Sequence, residues 1–513
     1  MRNLFINKLL ILSLALVFVQ CNKTPELEVR APYAELTLDP DGGQWKTYLE
    51  YQPELLQVPA PAGPTSVDYF EELQSLKSVL ATVTEEQRQA ALYWGGNGVL
   101  RWHEIAREIA ADYNVPPNNK EDGTYPAPDP MNPTVYPRFP FANPPYAARA
   151  FALLAVAQYD ALVAVWKAKY EHNRLSPSSY DKNIVSLLPF NSLPSYPSED
   201  AAVAVASREL MKFLFPGEVQ YLEGRASEHI DSRLWAGANV QSDLDAGAAI
   251  GLAVAQKVIA YAKTDNMSKA NNQSLYPTLI ADANSRGFQA IWTSRDNPAR
   301  PPMLPFYGGV KTWNFGEPEK VAIRPPAPPL PGTPGFQADL QEVLDLSKNR
   351  SREQLRIASF WADGPGTYTP PGHWNRRAAD LIHRYELNEI RSARTMALVS
   401  TALQDAGISC WDTKYYYLTQ RPSEVDPAVK TCTGIPNFPG YTSGHSTFSG
   451  AAAEVLAYLF PNDAEALQQF AKEASDSRIF GCIHFRVDCE QGLEAGKRVG
   501  QYAILRAKND GAE

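Results

Sequence analysis

Past its first residues the chain is written in helical periodicity. Apolar positions return every three or four residues from Val67 to Tyr113, which predicts a helical stretch there. Ala147 to Lys169 is apolar almost throughout and rich in alanine, the pattern of a buried helix. Ser198–Phe215, Val219–Ala236 and Asp243–Thr264 continue the pattern, and a second series runs over Gln337–Ala362, Asn375–Gly407, Ser446–Phe460, Asp463–Ser475 and Asp488–Ala507. Two stretches break it. Residues 115–146 are rich in Pro and Asn, and residues 265–335 carry few helix signals and include Pro325-Pro326-Ala327-Pro328-Pro329, which reads as a coil wrapped over the core. There is no alternating strand run and no repeat of fixed period. The expected fold class is all-α, two helical bundles, with the candidate chemistry in the C-terminal one.

The N-terminus reads as an address. Arg2 and Lys8 precede an apolar run, Leu9–Val19, too short to span a ~30 Å hydrocarbon core but the right length for a signal peptide. Cys21 follows directly, which suggests a bacterial lipoprotein site, although Gln20 stands where a small residue is usual. Ordinary signal cleavage and a retained anchor are the alternatives. The expected organisation is a signal peptide (1–20), a lipidated tether (21–65) closing at Pro59-Ala60-Pro61-Ala62-Gly63-Pro64, an N-terminal helical region (66–336) and a C-terminal bundle (337–513). This implies an exported lipoprotein, periplasmic or attached to the outer membrane, with the membrane reached through the lipid alone. No later segment runs to 18 apolar residues. In an exported protein Cys410, Cys432, Cys482 and Cys489 allow two disulfides in three pairings. Zinc is the competing reading, without a close CxxC pair to support it. The net charge of −9 and the lack of a basic run argue against a nucleic-acid binder.

Three short pieces carry the chemistry. The first is Lys414, six residues, then Arg421-Pro422. The second is Ser443-Gly444-His445. The third is Ser477-Arg478, five residues, then His484, three residues, then Asp488. Lys414, Arg421 and Arg478 can surround a tetrahedral oxyanion, with each guanidinium binding two oxygens. Ser443 offers a hydroxyl, Gly444 a backbone N–H at close approach, and the following helix its positive end. His484 and Asp488, four apart, share a helix face. The carboxylate can then fix the imidazole tautomer and leave the other nitrogen free to attack or ligate. His445 is placed to act as general acid or base. Taken singly, each of these residues reads as an ordinary surface charge or structural histidine; the weight lies in the three spacings together.

On these residues the chain resembles the superfamily uniting type 2 phosphatidic acid phosphatases and vanadium-dependent haloperoxidases. Its pattern, K-x6-RP, PSGH and SR-x5-H-x3-D, is matched at Lys414–Pro422, Thr442–His445 and Ser477–Asp488, with Thr442 in place of proline. The motif-bearing match covers about residues 410–500, and weaker similarity reaches back to about Arg352. The resemblance implies that Lys414, Arg421, Ser443, Gly444 and Arg478 hold vanadate, or phosphate in the same place. It makes His484 the vanadium ligand or phosphatase nucleophile, Asp488 its orienting partner and His445 the acid–base.

Neighbouring residues bear on which chemistry it is. Trp411 and Phe438 look like the aromatics lining the halide side of the chloroperoxidase pocket, and both also suit plain core positions. Phe360-Trp361-Ala362-Asp363-Gly364 resembles a haloperoxidase segment in which an Asp braces the site's arginines, making Asp363 a candidate partner. The resemblance therefore favours halide oxidation with hydrogen peroxide. A soluble exported phosphatase acting on a phosphoester is the alternative, and a non-catalytic binding lipoprotein a second one.

Overall fold

A computed structural model describes residues 30–34, 37–189 and 192–513. It is all-α; among the described residues the one β-type pairing is a bridge between Ile291 and Thr419. The helices of seven or more residues are α1 (Val67–Leu80), α2 (Glu85–Trp94), α3 (Gly98–Tyr113), α4 (Pro144–His172), α5 (Glu199–Leu214), α6 (Val219–Trp235), α7 (Gln241–Ala262), α8 (Tyr276–Ser285), α9 (Glu317–Ile323), α10 (Pro334–Asn349), α11 (Arg352–Phe360), α12 (Thr369–Arg384), α13 (Glu389–Tyr417), α14 (Gly444–Leu459), α15 (Ala464–Phe480) and α16 (Arg486–Ala507).

Caps explain where periodicity misjudged the boundaries. The stretch 67–113 is three helices, because Thr84 caps α2 in a capping box with Gln87 and Asn97, at φ 82°, caps α3. Residues 337–362 split at Ser351, which caps α11 in a box with Gln354. Residues 375–407 split at Asn388, and α13 runs ten residues beyond Gly407, to Tyr417. The supposed coil 265–335 contains α8 and α9. It is tied down by the backbone N–H groups of Trp313 and Asn314, which donate to the buried Asp405.

The expected tether is packed against the body in its middle. Tyr48 and Leu49 donate backbone N–H bonds to Asp160 on α4, and Trp45 is buried. Cys21 and the leader lie outside the described residues. All four remaining cysteines are free thiols, so none of the three possible pairings forms. Each is placed as a small buried or half-buried group: Cys410 against Thr442 O, Cys482 against Val343 O and the Arg350 guanidinium. No group of three metal-ligating side chains occurs among the described residues. Two stretches, Pro144–Tyr180 and Gln241–Ser285, contain helix long and apolar enough to cross a bilayer; the window in the first is 94% buried inside the protein.

The helices repeat. α4, α5, α6 and α7 match α13, α14, α15 and α16 in order and in length, at 29, 16, 17 and 22 residues. Each start lies 245 residues before its counterpart, and the single turns Pro177–Tyr180 and Pro422–Val425 keep the same offset. Equivalent buried pairs recur: Arg149 Nε to Asp265 at 2.6 Å, and Arg394 Nε to Asp510 at 2.7 Å. The sequence hides this repeat, because most equivalent positions differ in residue type.

Candidate active site

The three sequence pieces meet where α13, α14, α15 and α16 come together. Glycines allow the closest approach. A Cβ on Gly450 of α14 would lie 2.3 Å from Leu493 O, and one on Gly496 of α16 would lie 2.2 Å from Thr447 O. Lys414 occupies the last turn of α13, after which the chain reverses at Leu418 (φ 50°) and reaches Arg421. Ser443 caps α14 by accepting from Ser446 N at 3.3 Å. Its own N–H donates to Asp488 O at 2.9 Å, which ties the start of α14 to the start of α16.

His484 Nδ1 lies 2.9 Å from Asp488 Oδ2, which also accepts from Phe485 N. Arg421 Nη1 donates to His484 Nε2 at 3.0 Å, and its remaining bonds go to Ile483 O, Phe438 O and Pro439 O. Arg478 places Nε on Ser477 Oγ and Nη2 on Ala358 O, leaving Nη1 for the cavity it lines. That cavity, of ≈ 390 Å³, is bounded by Gly444, His445, Arg478 and His484 together with Trp411 and Phe438. The two aromatic rings pack at 4.8 Å between centroids. Gly444 is open: an added Cβ would meet nothing closer than 4.0 Å. Arg300, Met303 and Asn437 are shared with a larger adjoining cavity of ≈ 920 Å³.

Lys414, Arg421, Ser443 and Asp488 stand behind this wall rather than on it. The difference matters most for Lys414, expected to touch the anion directly. Its Nζ donates to Pro439 O (2.8 Å), Gly440 O (2.8 Å) and Thr442 O (2.5 Å), so all three protons are taken by the loop that leads into Ser443. Thr442, the residue that departs from the family pattern, is held there by its carbonyl.

No family model matches the sequence. A vanadium chloroperoxidase from Curvularia inaequalis is 25% identical over 387 residues, 62% of this chain, and the match spans 61% of the relative's length. A solved bacterial vanadium-dependent iodoperoxidase superposes with a TM-score of 0.56 at 24% identity, covering 71% of this chain and 91% of its own. A holo-type bacterial vanadium-dependent chloroperoxidase gives 0.51 at 15%, covering 77% and 98%. The chain is thus similar to vanadium-dependent haloperoxidases in sequence and in fold.

Electrostatics set this pocket apart from the rest of the core. Lys414, Arg421 and Arg478 are buried, and their side-chain bonds go to carbonyls, one hydroxyl and one imidazole. Among the described residues none of the three is paired with a carboxylate. Buried cations ordinarily need such a partner. Burial, then Arg421, Lys414 and Arg478, hold the His484 pKa well below its usual value; burial and Arg478 do the same to His445. Both imidazoles are therefore neutral. Burial lowers the two guanidinium groups to about 10 and raises Asp488 to about 7.

Asp363 lies at the pocket but makes no hydrogen bond to an arginine. Its carboxylate faces two histidines instead, His373 Nδ1 at 3.3 Å and His445 Nε2 at 3.8 Å. Its influence on Arg478 is at longer range, through charge. His445 Nε2 has no hydrogen-bond partner. His373, which sequence reasoning missed, stacks on Trp361 at 4.4 Å. No motif spacing marks it; the ten residues from Asp363 become a contact only because α12 folds back over the end of α11.

Proposed function

We propose that the protein is a vanadate-dependent haloperoxidase-like enzyme that oxidises halide with hydrogen peroxide. The observation that carries this reading is the set of three buried cations near His484, none in a salt bridge with a carboxylate among the described residues, with the unprotonated Nε2 of His484 accepting from one of them, Arg421. An oxyanion is the missing counter-charge. The donors that face the cavity fit one: Nη1 of Arg478, not used by Ser477 or Ala358, and the Gly444 N–H at the positive end of α14. His484 Nε2 would hold vanadate, which when bound supplies Lewis-acid activation of peroxide.

The chain's own residues do the remainder. Asp488 fixes His484 with its proton on Nδ1, which keeps Nε2 available and more basic. Lys414 holds the 439–442 loop, and with it the entry to Ser443 and Gly444. His445, neutral and unbonded at Nε2, can take a proton from bound peroxide and return it to a leaving oxygen. Trp411 and Phe438 give the cavity an apolar wall where a weakly hydrated halide can replace water, which favours this reading over phosphoester hydrolysis. The adjoining cavity has room for an organic acceptor.

The deciding experiment is a paired assay on one preparation. Halide oxidation should require both vanadate and peroxide and be suppressed by excess phosphate. Phosphoester hydrolysis that needs neither additive and is inhibited by vanadate would establish the phosphatase reading instead. The absence of both activities, with phosphate still bound, would make the protein a binding lipoprotein.

A further inference from the structure

The internal repeat places a second set of site residues in the N-terminal half. At the 245-residue offset Lys169 stands for Lys414, Ser198 for Ser443, Arg233 for Arg478 and Asp243 for Asp488. Much of the wiring recurs. Lys169 Nζ donates to Pro194 O, as Lys414 does to Pro439 O. Ser198 N donates to Asp243 O at 2.9 Å, as Ser443 N does to Asp488 O. Arg233 bonds Ser232 Oγ at 3.0 Å and Ala91 O at 3.1 Å; Arg478 bonds Ser477 Oγ and Ala358 O at the same two distances. Asn239, in the place of His484, donates to Asp243 Oδ2. A cavity is present here too, lined by Glu199, Asp200, Arg233 and Asn239, but it measures only ≈ 120 Å³.

One of the three cations is missing, since Ser176 stands for Arg421, and the other differences that matter are at the positions of Gly444 and His445. Here they are Glu199 and Asp200. Glu199 Oε2 lies 2.7 Å from Lys169 Nζ. Asp200 Oδ2 takes Arg233 Nη1 at 3.4 Å, the guanidinium nitrogen that faces the open cavity in Arg478, and Asp200 Oδ1 meets His229 Nε2 at 2.9 Å. A third carboxylate, Glu389, reaches the same cavity and accepts from Gly98 N.

We propose that the N-terminal half holds a second oxyanion site of related construction, with two of the three cations, kept closed by the carboxylates of Glu199 and Asp200, which stand where the C-terminal site receives its anion. The proposal rests on reading the C-terminal pocket as an oxyanion site. Removing the two carboxylates should open a site for a phosphate-sized tetrahedral oxyanion. With Asn239 in place of histidine, that site binds through charge and hydrogen bonds alone and forms no bond to the central atom.

The test is the number of inorganic phosphate ions bound per full-length chain, by calorimetric titration. The parent should bind one and Glu199→Gly/Asp200→Ala two, and adding Arg233→Met to the double variant should return the count to one. A folded double variant that gains no site, or a gained site that survives Arg233→Met, overturns the proposal. If the parent binds none, the C-terminal reading fails by itself; a single site in the double variant that Arg233→Met removes still supports this one, and none overturns it. If the double variant does not fold, Asp200→Asn replaces it. Phosphate should then raise the Tm of Asp200→Asn more than that of the parent, and an equal rise overturns the proposal.

Discussion

His484 stands between a carboxylate and a guanidinium, with Asp488 Oδ2 2.9 Å from Nδ1 and Arg421 Nη1 donating to Nε2 at 3.0 Å. Because Arg421 can only donate, Nε2 is the bare nitrogen and Nδ1 carries the proton. His484→Ala should therefore abolish stable vanadate binding. Asp488→Asn should weaken it about 10–100-fold, the usual loss when an orienting partner is removed. Vanadate titration followed by ultraviolet absorbance checks both, and unchanged affinity in Asp488→Asn would mean that Asp488 does not orient the ligand.

His445 is expected to differ in kind. It shares the cavity but has no hydrogen bond at Nε2. His445→Ala should keep vanadate bound while lowering kcat roughly 10²–10⁴-fold. Equal loss of binding in His445→Ala and His484→Ala would show the two roles to be wrongly divided.

Lys414 and Arg478 separate structure from binding. Lys414→Met takes the main donor from three buried carbonyls, leaving Pro439 O and Thr442 O only the longer bonds from Arg421 and Cys410, and an unsatisfied group costs about 1–3 kcal/mol. It should lower the Tm markedly, and anion affinity falls as a consequence of the loosened loop. Arg478→Met keeps that loop and should lose affinity with a smaller change in Tm. Thermal unfolding and phosphate binding, measured on both, would reveal the reverse ranking if Lys414 were the direct ligand.

The depressed histidines predict a pH dependence of stability. Both are neutral in the folded protein and take up protons at an ordinary pKa near 6.5 when unfolded. The unfolded chain then binds more protons as pH falls below about 6.5, so each histidine's contribution to stability drops, by up to about 1.4 kcal/mol per pH unit. His445→Gln should flatten the decline between pH 6.5 and 5 in denaturant unfolding. A decline as steep as the parent's would show that His445 is charged in the folded state.

Helical periodicity and caps are local properties, and the chain's first reading reflects that. α4 and α14, and the residues of all three motif pieces, are legible because a helix face and an i, i+4 pair need only near neighbours. Even the misplaced boundaries at Thr84, Asn97, Ser351 and Asn388 were written in the sequence as capping residues. Other features depend on which carbonyl or carboxylate the fold brings near. Lys414 looks like an anion ligand until the 439–442 loop surrounds its Nζ, and Asp363 looks like a brace for arginine until His373 arrives from α12. Cys432 and Cys482 look like half of a disulfide framework until both settle against carbonyls, Cys432 against Phe480 O and Cys482 against Val343 O and Phe480 O. The 245-residue repeat is the extreme case, since its two halves share backbone geometry and buried bonds while most of their side chains differ. A single sequence records residue types, whereas what distinguishes the open pocket from the narrow one is whether a glycine or a carboxylate meets the buried lysine and arginine that both halves share.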